Sequence, residues 1–252
     1  MKLGRNLLDR IVEATPLDRP AGAAAGVVQR LLANRQVKDA LHGVWLGHPL
    51  HPALAQLTLG TFTAASLIDA VGGSRRDSTR LIAIGAAAYL PTVTAGWADY
   101  SEAHQEQQRL GIVHAALNAA AGAGFLGVLV LRARGGSGRW LSVLAGSLGG
   151  AAAALGGHLG FRMALGANHA EHVAHLGPAQ WQQLGPVAEL PDGEPVRRQA
   201  GELAVLVLRR DGQVHVLADT CPHLAASMSE GDLGPDGTIV CPWHGSTFRI
   251  DD

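Results

Sequence analysis

Two short stretches near the end of the chain decide its fold: Cys221-Pro222-His223 and Cys241-Pro242-Trp243-His244. Each stretch supplies one thiol and one imidazole, and the sequence has no cysteine besides these two. Thiolate and imidazole are side-chain ligands that iron and zinc accept in proteins. Because zinc fingers usually present two cysteines followed by two histidines, the interleaved order here indicates a different metal centre. The sequence therefore predicts two loops that share the ligands of one metal site.

The C-terminal stretch, residues 181–252, resembles a Rieske [2Fe–2S] domain. The resemblance rests on Asp211-Gly212 between apolar strands, Cys221-Pro222-His223-Leu224, Gly231 and Cys241-Pro242-Trp243-His244-Gly245. It implies that Cys221 and Cys241 ligate one iron of the cluster and that His223 and His244 ligate the other. A structural zinc site is the alternative. Since no cysteines remain for the extra disulfide of respiratory Rieske proteins, the chain resembles the ferredoxin and oxygenase type.

The strands of this C-terminal domain can be placed from its apolar runs. They predict short strands at 187–190, 203–208 and 214–217, with turns at Asp192-Gly193 and Asp211-Gly212. The resembled family normally continues with further strands past the point where this sequence ends, at Asp252. We therefore expect a domain that is truncated at its C-terminus.

The composition of the whole chain is that of a membrane protein. Of its 252 residues, 47% are hydrophobic and 16% are charged, and 33 are glycine. Scarce charge together with abundant Ala, Gly and Leu indicates helices in a lipid bilayer that pack through small residues. The formal net charge of -1 gives no reason to expect nucleic acid as a partner.

Four apolar stretches follow the first 44 residues, and each is long enough to cross a bilayer. They cover 52–72, 81–98, 110–131 and 140–165, and the second should bend or open at Pro91. The predicted fold is therefore multi-domain: an all-α four-helix transmembrane bundle followed by a small all-β Rieske-type domain. We expect an amphipathic N-terminal segment at 1–44, the transmembrane domain at 45–165, a linker at 166–180 and the Rieske domain at 181–252.

The stretch 45–165 also resembles an uncharacterised family of bacterial four-helix membrane domains. Its signature is Trp45-Leu46-Gly47-His48-Pro49-Leu50-His51-Pro52, supported by Gly96-Trp97-Ala98-Asp99, His114 and Gly157-His158-Leu159-Gly160-Phe161. That family has no settled chemistry, so the resemblance implies a fold and not a function. It places the protein in the inner membrane of a bacterial cell as a multi-pass protein.

The histidines of the predicted bundle gather on the side that bears both chain termini. His48 and His51 come just before the first helix. His114 lies near the start of the third helix, and His158 lies near the end of the fourth. Ionisable groups inside a membrane are costly and indicate function. These four residues are candidate ligands of a haem b or of a further metal ion with Asp99, or the lining of a quinone site. A hydrogen-bonded polar cap is the alternative.

The first 46 residues have an amphipathic pattern. Leu7, Leu8, Ile11 and Val12 recur at helical spacing, and a second such run with basic residues opposite follows Pro20. The pattern predicts a helix that lies in the membrane interface. A partner-binding helix is the alternative.

Two observations bear on which side of the membrane holds the Rieske domain, and they favour opposite sides. The loops at the far end from the termini carry an excess of arginine: Arg75, Arg76, Arg80, Arg132, Arg134 and Arg139. By the positive-inside rule this favours an external Rieske domain. No stabilising disulfide and no twin-arginine signal before the fourth helix favour the reducing cytoplasm. We expect the cytoplasmic side.

These features predict a membrane-bound electron-transfer protein, which is an electron carrier rather than a stand-alone enzyme. The expected partners are the lipid bilayer and a redox partner protein or quinone, and the sequence leaves a homo-oligomer open. In the first hypothesis, electrons pass between the [2Fe–2S] cluster and a haem, metal or quinone site in the bundle. The alternatives are a membrane-tethered Rieske ferredoxin that donates to a separate oxygenase or reductase, and a redox-sensing scaffold.

Overall fold

The computed structural model describes residues 2–234 and 236–251. The chain divides into two compact units, Met1–Leu165 and Gly166–Asp252. The first unit is helical and consists of α1 (Lys2–Val12), α2 (Asp18–Leu31), α3 (Arg35–His42), α4 (Leu50–Ala70), α5 (Arg75–Ser101), α6 (Gln105–Ala133) and α7 (Arg139–Gly157). A π-helical turn, His158–Arg162, continues α7.

Three of the described helices are long and apolar enough to cross a membrane: α5, α6 and α7 with its continuation to Arg162. The predicted first span, α4, has 21 residues and is not among these three; its Thr58, Ser66 and Asp69 are buried. Polar side chains that face the interior of a bundle lower the hydropathy of a helix without exposing polar groups to lipid. α5 continues through Pro91 as one helix, so the local opening that the sequence predicts there is absent.

Aromatic rings and small residues make the core of the bundle. The rings of Phe62 and Phe125 stack with their centroids 4.0 Å apart, and Ile82 and Val128 are fully buried around them. At Gly85 an added Cβ would come within 2.6 Å of the Phe62 ring, so the close contact between α4 and α5 requires glycine there. Short side chains thus allow the helices to approach closely.

The short helices α1–α3 pack on the bundle end that is formed by the end of α5 and the start of α6. The Arg109 guanidinium donates to both Asp18 carboxylate oxygens, at 2.5 and 3.1 Å, and to the Val12 carbonyl at 2.8 Å. The hydrogen bond from Arg109 lowers the pKa of the Asp18 carboxyl. The Tyr100 hydroxyl donates to the Ala21 carbonyl at 3.0 Å. Polar contacts therefore fasten this segment to the bundle.

The second unit is a small β domain that follows the short helix α8 (Val173–Leu176). Its strands are β1 (Pro195–Ala200), β2 (Leu203–Arg210), β3 (Gln213–Ala218), β4 (Asp232–Gly234), β5 (Thr238–Val240) and β6 (Thr247–Arg249). They form two antiparallel sheets, β1-β2-β3 and β4-β5-β6. The strand predicted at 187–190 is wrong: Val187–Glu189 is a 3₁₀ turn, and the edge strand is β1 instead.

A buried ion pair joins three helices at the end of the bundle that lies opposite α1–α3. The Arg132 guanidinium donates to both carboxylate oxygens of Asp69 at 2.7 Å, and the two side chains are 3% and 5% exposed. Arg132 also donates to the hydroxyls of Ser78 and Thr79, and Ser78 donates to Asp69 at 2.7 Å. Every polar group of this network therefore has a partner in a region of low dielectric.

Removing one member of this pair should destabilise the helical unit strongly. We expect Asp69→Asn or Arg132→Gln to lower the free energy of unfolding by about 3–5 kcal/mol, because a buried charge is left unpaired. The double variant Asp69→Leu with Arg132→Met should lose much less. Unfolding in detergent micelles measures this. The control is Asp77→Asn, which breaks an exposed pair with Arg80 at 3.5 Å and should cost less than about 1 kcal/mol. Equal losses for Asp69→Asn and Asp77→Asn would contradict the expectation.

Candidate metal centre

The first loop of the β domain runs from Cys221 to Ala226 and is closed by its own backbone. The Cys221 N–H donates to the Ala226 carbonyl at 2.9 Å, and the Ala225 N–H donates back to the Cys221 carbonyl at 2.9 Å. Ala225 has a φ of 62°, in the left-handed region that an alanine rarely adopts. The two hydrogen bonds hold that conformation, which turns the chain back towards the cysteine.

The second loop repeats this geometry with a different sequence. The Cys241 N–H donates to the Ser246 carbonyl at 2.7 Å, and the Gly245 N–H donates to the Cys241 carbonyl at 3.1 Å. Gly245 has a φ of 72° and occupies the place that Ala225 has in the first loop. Both loops are therefore six-residue turns that begin at a cysteine and reverse at the fifth residue. Ser246 contributes its backbone carbonyl here.

The two thiols lie inside the domain and next to each other. Cys221 and Cys241 are 1% and 2% exposed, and neither is in a disulfide. Burial, and to a smaller extent the contact with Cys241, raise the pKa of the Cys221 thiol to about 11. Iron is bound by thiolates, so iron binding here displaces the proton of the Cys221 thiol.

The two imidazoles form a second pair, nearer to the surface. The rings of His223 and His244 are 5.0 Å apart between centroids and nearly perpendicular, at 79°. Both residues are partly buried, and the exposed Trp243 packs edge-on against His244 with ring centroids 6.3 Å apart. The sequence-predicted residues are thus brought together as an inner pair of thiols and an outer pair of imidazoles.

Residues that the sequence analysis did not single out support the loops. Asp219 precedes the first loop and is 3% exposed. Its carboxylate accepts hydrogen bonds from the Ser227 hydroxyl at 2.7 Å and from the Ser229 N–H at 2.6 Å, and forms an ion pair with Arg197 at 3.1 Å. The His169 N–H of the predicted linker donates to the Pro222 carbonyl at 2.9 Å. The position of Asp219, two residues before Cys221, was the signal in the sequence that could have identified it as a supporting residue.

This donor set fits a binuclear cluster. Two adjacent thiols and a separate pair of imidazoles match a centre in which Cys ligates one iron and His the other. Cys221, Cys241, His223 and His244 would hold that cluster.

In the helical unit, two of the four candidate histidines meet. The rings of His51 and His114 are 6.5 Å apart between centroids, at 87°. His51 Nδ1 donates to the Thr92 carbonyl at 2.9 Å, and His114 Nδ1 donates to the Ala152 carbonyl at 2.7 Å. A Cβ at Gly96 would come within 2.8 Å of the His51 ring, and one at Gly156 within 2.9 Å of the His114 ring. Two glycines therefore make room for the pair.

The second ring nitrogens of this pair differ. The Asn118 amide donates to His114 Nε2 at 3.1 Å, so both nitrogens of that ring are used. No described residue hydrogen-bonds to His51 Nε2, which is an acceptor because Nδ1 carries the proton. His114 thus has the contacts expected of a hydrogen-bonded polar cap, the alternative to a binding site. His51 keeps one ring nitrogen that could bind a ligand.

The other candidates have different surroundings. His48 is exposed, and its Nδ1 contacts the carbonyl of Pro49 at 3.1 Å. His158 begins the π-helical turn after α7. Asp99 is paired with His42 at 3.0 Å, a histidine that the sequence analysis did not consider. Sequence spacing gave no sign of that contact, since the two residues are 57 positions apart.

The two cysteine loops of like geometry and the apolar helices define the class of protein: an iron–sulfur protein of the Rieske type that carries a membrane domain. The Rieske [2Fe–2S] domain family matches residues 180–252. The family described as predicted membrane protein (DUF2231) matches residues 47–174, slightly more than half of the 252 residues. The chain therefore belongs to the DUF2231 family and has a Rieske domain at its C-terminus, which confirms both resemblances.

Similar proteins of known function match the Rieske part of the chain. The ferredoxin subunits of 3-phenylpropionate/cinnamic acid dioxygenase from Escherichia coli and Shigella flexneri are each 40% identical over 65 residues, which is 26% of this chain and 60% of each relative. The chain thus spans less than two thirds of these relatives. A solved structure, the ferredoxin of carbazole 1,9a-dioxygenase from Nocardioides aromaticivorans, is 23% identical over 27% of this chain and 67% of its own, with a TM-score of 0.27.

Gly231 should be required for the second loop. A Cβ at this position would overlap the Val240 carbonyl oxygen and come within 3.1 Å of the Met228 carbonyl. We expect Gly231→Ala to cost about 1–3 kcal/mol of stability, because the strand before Cys241 must move, and to lower the iron content of the purified protein. Gly177→Ala is the control, since that glycine has a φ of -57° and open space around it. An unchanged iron content in Gly231→Ala would contradict the expectation.

Proposed function

We propose that this protein is a membrane-anchored electron carrier. The observation that carries the proposal is the paired donor set, in which Cys221 and Cys241 are buried side by side and His223 and His244 form a second pair nearer the surface. A [2Fe–2S] cluster bound there supplies one-electron chemistry. The loops hold the ligands in place, and the buried thiol side excludes water from the inner half of the site.

The proposed partner is a separate redox protein, either an oxygenase or a reductase. The similar ferredoxins are named as subunits of a dioxygenase, which favours a carrier that works with another protein. The edge with His223, His244 and the exposed Trp243 is suited to docking because an exposed tryptophan offers a large apolar contact. A redox-sensing scaffold is the remaining alternative, and it would not pass electrons on at catalytic rates.

The helical unit anchors the carrier. Its three apolar helices suit a membrane, and we propose the bacterial inner membrane as the location. For the β domain we propose the cytoplasmic side, because the two cysteines are free thiols and no disulfide supports the small domain.

A second candidate function is a relay through the bundle. The pair of His51 and His114 favours it, because each ring donates from Nδ1 to a backbone carbonyl, as metal-ligating histidines do. A haem b, a further metal ion or a quinone would find one available nitrogen on His51. A second ligand nitrogen, Nε2 of His114, would become available only if the Asn118 amide turned away from it.

The cluster assignment is tested on the purified full-length chain. We expect two iron atoms per chain and, after reduction with dithionite, the electron paramagnetic resonance signal of a histidine-ligated binuclear cluster. His223→Ala and His244→Ala should each abolish that signal. His215→Ala is the control, since its ring pairs with Asp251 at 3.5 Å away from the site. Zinc in place of iron, or a signal that survives His223→Ala, would sink the proposal.

The relay is tested on the same sample. We expect a haem Soret band, iron beyond the two cluster atoms, or extractable quinone, and we expect His51→Ala and His114→Ala to remove it. His48→Ala should keep it, because that side chain is exposed. If none of the three accompanies the purified chain while the cluster is present, the relay is excluded and the tethered carrier stands.

A further inference from the structure

The N-terminal segment, residues 7–46, lies outside both matched families, which begin at residues 47 and 180. It contains the described side chains of α1, all of α2 and α3, and the 3₁₀ turn Val44–Leu46. The two sides of this segment differ in polarity in a way that indicates what surrounds it.

The side that faces the bundle is small and polar. α2 buries Ala21 and Ala25 there, and the Gln29 amide donates to the Ser101 carbonyl at 2.7 Å. Lys38 forms an ion pair with Glu102, and His42 with Asp99 at 3.0 Å. No large apolar side chain is buried in α2 or α3.

The exposed surface of the segment carries many large apolar side chains. Seven large apolar residues of the segment are more than a third exposed, with Leu31 at 76% and Trp45 at 68%: Leu7, Val27, Leu31, Val37, Val44, Trp45 and Leu46. In water, amphipathic helices place such side chains inwards and their charges outwards. The segment instead leaves these apolar side chains exposed beside exposed charges such as Arg19 and Arg30. This mixture suits a membrane interface, where apolar groups enter the acyl chains and charges reach the headgroups.

We propose that the N-terminal segment lies in the interface of the same membrane that the apolar helices span, with its outer side in the acyl-chain boundary. The apolar surface continues into α4, since Leu46 precedes that helix by four residues and Leu57 and Leu59 on it are also exposed. Exposed Arg19 and Arg30 on α2 can reach the headgroups while their aliphatic stems stay in the interface. The proposal rests on membrane anchoring and not on the cluster.

The flanks of α2 offer a matched pair of positions for a test. Leu31 and Gly22 are nine residues apart, which is about 2.5 helical turns, so they lie on opposite sides of the helix. Both are exposed, and a side chain at Gly22 meets nothing within 4 Å. Leu31→Cys and Gly22→Cys, each in the full chain with its cluster in place, accept a nitroxide label after reconstitution into phosphatidylcholine–phosphatidylglycerol vesicles. The unsubstituted chain gives the background labelling of Cys221 and Cys241.

The readout is the accessibility of each label to oxygen, which concentrates in lipid, and to a water-soluble nickel complex. We expect the label at position 31 to be several-fold more accessible to oxygen than to nickel, and the label at position 22 to show the reverse. Nickel accessibility at position 31 as high as that at position 22 would mean that the outer side faces water, which overturns the proposal. A short distance between labels at position 31 of two chains would instead show that a second copy covers this side, and would also overturn it. Either result leaves the cluster assignment untouched.

Discussion

The metal centre depends on a backbone hydrogen bond that closes each of two six-residue turns. In each turn the cysteine N–H donates to the carbonyl five residues on, from Cys221 to Ala226 and from Cys241 to Ser246. This closure forces the fifth residue into the left-handed region, which costs Ala225 more than it costs Gly245. The two buried thiols are therefore held in contact by the fold itself, and the order of ligands in the sequence becomes a pair of thiols beneath a pair of imidazoles.

The helical unit solves the problem of polar groups in a low-dielectric interior in the same manner. Asp69 and Arg132 satisfy each other and two neighbouring hydroxyls at one end, and the two facing histidines donate to backbone carbonyls at the other. A polar group without a partner would cost several kcal/mol there, so such groups occur in sets. The hydrogen bonds of His51 and His114 are therefore compatible with a purely structural role. Whether His51 Nε2 binds a ligand is what distinguishes a binding site from a structural cap.

Local chemistry could be predicted from the sequence, and long-range pairing could not. The four proposed cluster ligands could be named from short motifs, and the apolar runs placed four helices because hydropathy is a property of each run by itself. The strand expected at 187–190 is a 3₁₀ turn, since Pro186 precedes it and too few residues alternate to specify pairing. β1 was missed because its Arg197 and Arg198 look like a solvated loop, although they pair with β2. The contacts of Asp219 with Arg197, Ser227 and Ser229 could not be predicted from spacing, although its position just before Cys221 was a signal.

Attachment to a membrane changes what a small electron carrier can do. A free ferredoxin meets its partner by diffusion in three dimensions, whereas a carrier on the same membrane as its partner meets it at a higher effective concentration. If the partner docks at the surface around Trp243, as we propose, weak docking is then sufficient, which suits a carrier that releases its partner after one electron. The anchor need carry no redox group for this advantage. If the N-terminal segment lies in the interface, as we propose, its contact with lipid also restrains how the helical unit tilts in the bilayer.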